Sequence, residues 1–260
     1  MPTVEFALRG RRGWLVFLVG FGLIWGTLHL TAPTQPTAGR GVLTFAATLA
    51  CAVAVLGLLM RVPVRAAPKA LGLGRPAARG MLVAVLVSAA CVAVYPLFTV
   101  VTGQPVTLKP GWPALVLGLW LINGMAEELA WRGYVFGLLR KGRSFRRAVL
   151  LSMPLLAITH IPIVINSGLV VGVLAMIVAA VTTLPLAFLY ERGGATVWAP
   201  ALVHAAIDSF RVVSVPAAAT TTFSLFVIGL ALVVPMLVFP LDRALARLSR
   251  PAPTAPEVAA

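Results

Sequence analysis

The sequence predicts an all-α membrane protein, a polytopic bundle of about eight transmembrane helices, and three observations carry that expectation. The 260 residues are 60% hydrophobic and only 11% charged, with a mean hydropathy of +0.99, whereas a soluble domain averages about 25% charged residues. The apolar residues gather into runs long enough to cross a bilayer. The Lys and Arg residues fall between those runs, almost all of them on alternate loops.

The first run, Trp14–Leu30, is at the short limit of a spanning helix. Its basic start resembles a signal peptide, but the residues that follow, Pro33, Gln35 and Pro36, offer no small-x-small cleavage site. It therefore reads as an uncleaved helix. Val42–Met60 and Met81–Val101 come next, and then Trp112–Leu139, which is long enough that it must tilt or protrude. Ala148–Ile165 is closed by Asn166-Ser167-Gly168, and Leu169–Tyr190 by Glu191-Arg-Gly-Gly194. Ala195–Val213 and Phe223–Phe239 complete the eight. The expected organisation is an N-terminal segment over 1–13, a bundle over 14–240 and a tail over 241–260. From Pro251 that tail is rich in Pro and Ala and reads as disordered.

A net charge of +14 invites a nucleic-acid reading, which the placement of the charges excludes. Loops on the side of the N-terminus hold Arg9, Arg11 and Arg12, then Arg61, Arg65, Lys69, Arg75 and Arg79. The same side continues with Arg140, Lys141, Arg143, Arg146 and Arg147, then Arg192, then Arg243, Arg247 and Arg250. The opposite loops hold only Arg40, Lys109 and Arg211. This asymmetry orients a multi-pass protein of the cell membrane with both termini cytoplasmic, and it requires an even helix count. Cys51 and Cys91 lie inside apolar runs and read as small buried hydrophobes. Abundant Ala, Val, Gly and Arg point to a GC-rich bacterial genome.

Few ionisable groups lie inside the spans: Glu127, Glu128, Arg132, His160, His204 and Asp208. His29 stands apart, near the end of the first run. An ionised group at mid-bilayer costs about 2.5–3.5 kcal/mol on insertion scales, so this cluster is a candidate site. Glu128 and Arg132 are four residues apart on one helical face and can pair. Glu127 is turned about 100° away and left without that partner, which suits a general base. His204 and Asp208 repeat the four-residue spacing on the seventh run, and His160 projects from the fifth. A structural clamp is the plain reading of Glu128 and Arg132, and a hydrogen-bonded core histidine that of His160.

At these residues the chain resembles the CPBP family, the Abi or CAAX-protease-like intramembrane proteases. The motif EExxxR is Glu127-Glu128-x-x-x-Arg132, followed by Gly133-Tyr134. FxxxH falls at Leu156-x-x-x-His160, with leucine for the aromatic residue. The last motif, His followed four residues on by Asn or Asp, is His204-x-x-x-Asp208, after Trp198-Ala-Pro200. The likeness covers roughly Trp112–Phe210. It implies a glutamate-dependent endopeptidase acting on a membrane-associated peptide or protein. Glu127 would activate water with His160, His204 and Asp208 would hold the oxyanion, and Glu128 and Arg132 would orient the glutamate. Asp208 could donate only when protonated; otherwise it would accept a hydrogen bond from His204.

Other functions fit parts of the pattern. A bacteriocin-immunity or scaffold protein of the same family would bind a partner without cleaving it. A proton-coupled transporter would also use intramembrane Glu and His, but no inverted repeat is evident. No cofactor is expected, although His160, His204 and a glutamate leave zinc open in the absence of HExxH. Membrane lipid is an expected partner and nucleic acid is not.

Overall fold

In a bilayer no water is present to satisfy backbone N–H and C=O groups, so apolar runs must close their hydrogen bonds internally as helices. The computed structural model describes residues 10–33 and 35–248. Arg9, Arg250 and the Pro/Ala-rich tail lie outside the described residues. Eight helices follow in order: α1 (Gly10–Thr31), α2 (Ala38–Leu59), α3 (Ala78–Thr102), α4 (Trp112–Arg140), α5 (Phe145–Asn166) and α6 (Leu169–Arg192), then α7 (Trp198–Ile207) and α8 (Ala217–Leu248). All but α7 are long and apolar enough to span a membrane, and the chain is a multi-pass helical membrane protein.

The exception, α7, replaces the longer run Ala195–Val213 expected from hydropathy. The loop before it is docked rather than helical: Val197 N donates to Gly72 O and Trp198 Nε1 to Gly74 O, both at 2.9 Å. Beyond Ile207 the chain tightens into a 3₁₀ turn over Asp208–Val212. Ten residues at α rise and five at 3₁₀ rise give about 25 Å, close to the hydrocarbon thickness. The far end is tied as well. β1 (Thr107–Leu108) pairs antiparallel with β2 (Val213–Ser214), and Lys109 N donates to Val212 O at 2.9 Å. Thus α7 runs beside α3, tied at both of its ends.

Polar contacts define one end. Arg140 pairs with Glu191, and Arg79 and Arg192 both reach Asp242. Arg143 lies over the Trp14 ring at 5.4 Å. The start of α1, the start of α3 and the ends of α4, α6 and α8 therefore share the arginine-rich end. The last helix runs to Leu248, past the expected end of the bundle, because Asp242 is anchored there.

The core forms where α4 passes between its neighbours, with Met125, Leu129, Trp131, Tyr134 and Phe136 buried against Phe17, Leu56, Ala187 and Ala201. Gly133 permits a close approach there, since a Cβ would sit 2.3 Å from Leu71 O. Tyr134 stacks on Phe17 with centroids 5.6 Å apart and donates to Phe17 O at 3.0 Å.

Candidate active site

Helix α4 is irregular at its centre. Two π-helical stretches, Trp120–Ala126 and Leu129–Phe136, flank Glu127 and Glu128, and such widened turns gather at functional sites. Glu127 lies some fifteen residues from either end of α4, about 20 Å from each. The two carboxylates thus sit midway along α4.

Their environments differ. Glu128 is fully buried; its Oε1 accepts from Arg132 Nη1 and from His204 Nδ1, each at 2.6 Å. Taking both donors on one oxygen leaves Glu128 Oε2 and Arg132 Nη2 buried without partners. The side chain of Glu127 keeps 24% exposure. Its Oε2 is 3.7 Å from His204 Nε2, and its Oε1 accepts from Asn123 Nδ2 at 3.2 Å. His204 is therefore held by one glutamate and presents its second nitrogen to the other. The Glu128 carboxylate accepts in this contact, so His204 Nδ1 carries a proton, the usual way a carboxylate sets an imidazole's orientation.

The 3₁₀ turn after α7 brings Asp208 to the same cluster, where it bonds to Asn123. Its Oδ2 accepts from Asn123 Nδ2 at 2.6 Å. Ser209, next to it, donates to Ala206 O at 2.6 Å and shares a 2.6 Å hydrogen bond with Tyr95 of α3, which fixes the turn.

His160 occupies a break in α5. Pro162 has no N–H to give Ile158 O, so the helix loosens one turn earlier. His160 N then bonds to Ala157 O at 3.0 Å instead of to Leu156 O. The freed Leu156 carbonyl accepts His160 Nδ1 at 2.9 Å and Thr159 Oγ1 at 2.7 Å. A carbonyl can only accept, so Nδ1 carries a proton, and in the neutral imidazole Nε2 is then the acceptor. Leu156, at the aromatic position of the motif, is buried and acts through its backbone oxygen.

Asn123 was not singled out from the sequence, and it touches two of the three acids. The available signal was its spacing, one turn before Glu127 in a span with few other polar residues. His29 stacks on Trp25 of its own helix, 5.5 Å away. Among the described residues no three His, Cys, Asp or Glu side chains are arranged to hold a metal ion.

This arrangement can do three things chemically: take a proton at the partly open Glu127, accept another at His160 Nε2, and present donors from His204 and Asn123 to developing negative charge. No curated protein and no solved structure matches the chain. Residues 109–210 match a family profile described as type II CAAX prenyl endopeptidase Rce1-like. That stretch runs from the start of α4 to the turn after α7 and contains every residue of the site; over it, the chain is similar to the CAAX-protease-like CPBP family.

Proposed function

We propose that the protein is a membrane-embedded endopeptidase that hydrolyses a peptide bond of a membrane-associated peptide or protein. The observation that carries this reading is the unequal pair: Glu128 sealed and doubly bonded, Glu127 partly open and faced by His204. A purely structural ion cluster would bury both carboxylates. Glu127 accepts a proton from water, and His160 helps to place that water through its unprotonated Nε2. His204 stands over the reacting carbonyl, aimed by Glu128, which Arg132 holds in turn. The excess of arginine at one end supports an orientation in the cell membrane with both termini cytoplasmic.

The test is a comparison of peptide N-termini in membranes from cells expressing the wild-type chain or Glu127→Gln at equal levels. New termini that appear only with wild type are the expected result. Identical termini in both strains, with the chain inserted and folded, would reject proteolysis and leave a partner-binding protein of the same fold.

A further inference from the structure

We infer that Asn123 is a catalytic residue whose side-chain amide donates to the oxyanion, with Asp208 holding it in place. This rests on the endopeptidase reading. Asn123 is 4% exposed, on the π-helical stretch one turn before Glu127. Its Nδ2 has two N–H bonds and no acceptor capacity, so Asp208 Oδ2 is the acceptor in the 2.6 Å contact. That bond is short and serves as the anchor. The other N–H makes the longer contact, 3.2 Å, to Glu127 Oε1, the one carboxylate whose charge changes during hydrolysis.

The charge flow shows why that matters. An O–H bond of water breaks and its proton goes to Glu127, while the oxygen's electron pair forms the new bond to the carbonyl carbon. The carbonyl π pair moves onto its oxygen. Glu127 is now neutral, and the adjacent oxyanion is the stronger acceptor, so the second N–H of Asn123 turns to it. The proton then passes from Glu127 to the amide nitrogen, the C–N pair leaves with that nitrogen, and the carbonyl re-forms. Asp208 stays an acceptor throughout, and the amide lies between it and the new negative charge.

The experiment uses the full chain in cells and reads the initial rate at which Glu127-dependent peptide N-termini appear after induction. Asn123→Ala is expected to slow them by about 10²–10³, the effect of losing one oxyanion donor, at an unchanged chain level. Asn123→Ala combined with Asp208→Asn returns an amide from the facing element and is expected to recover at least tenfold over Asn123→Ala. Should Asn123→Ala fail to accumulate, Asn123→Leu, of similar shape, replaces it. Wild-type rates in the Asn123 variant would overturn the donor role while leaving the endopeptidase intact. A double variant as slow as the single one would reduce Asn123 to a structural contact. Termini unaffected by Glu127→Gln would overturn the proteolytic reading itself, and this inference with it.

Discussion

Two buried carboxylates in this molecule each hold two cationic or ionisable partners, yet they are built for different purposes. Asp242, at the arginine-rich end, is 2% exposed and reaches Arg79 at 2.8 Å and Arg192 at 3.3 Å. Both of its arginines remain substantially open, at 39% and 52% side-chain exposure. Glu128, at mid-depth, is fully buried, and its arginine is 2% exposed. At the rim, water can take over from a lost partner; at mid-depth nothing can. The inner cluster therefore spends stability on orientation, and what it orients is His204 toward Glu127.

The largest effect should come from the open carboxylate beside that cluster. Glu127→Gln is expected to cut turnover by about 10²–10⁴, the usual contribution of a positioned base, with little change in the melting temperature of the purified protein. Retained turnover would erase the distinction drawn between Glu127 and Glu128. Next is Glu128→Gln, which strands Arg132 in the interior. Breaking a buried pair costs about 3–5 kcal/mol, so unfolding in detergent should shift strongly, and activity should fall with it as His204 loses its aim. A smaller shift is expected for Asp242→Asn, about 1 kcal/mol or less, because its arginines are solvated; proteolysis should continue at the wild-type rate. The smallest effect separates the two clusters by salt. Raising ionic strength shortens the screening length from about 30 Å at 0.01 M to about 3 Å at 1 M. The stability difference between wild type and Asp242→Asn should shrink over that range, while that of Glu128→Gln persists. Equal salt responses would mean that both clusters are alike in solvent access.

Much of this was legible from residue order. Helices follow from hydropathy because lipid leaves an apolar run no alternative, and the pairing of Glu128 with Arg132 follows from their spacing. The arginine distribution anticipated which loops share an end. Four features were hidden. The true length of α7 depends on Val197 and Trp198 docking on Gly72 and Gly74, a contact across the chain that no local pattern encodes. The π-helical widening of α4 is likewise a tertiary effect. Asn123 escaped because an amide is cheap to bury compared with a charge, so it stands out only once its two acceptors are known. Asp208 was assigned either to the oxyanion or to His204; the contact it makes, to Asn123, required the 3₁₀ turn at Ile207 to be seen.

The Glu128–Arg132 pair also bears on the order of synthesis. Its two partners lie on one helix, so α4 can enter the membrane with this charge already neutralised. His204, the third member, is made about 70 residues later, which at 5–20 residues per second is roughly 4–14 s of elongation. During that interval the nascent chain carries Glu127 and Glu128 in lipid with no histidine from α7 beside them. A helix that had to wait for a partner on α7 would stall at the insertion step or slip back toward water. The local ion pair makes α4 a self-sufficient insertion unit, and the arrival of α7 then converts a tolerated charge pair into a finished site.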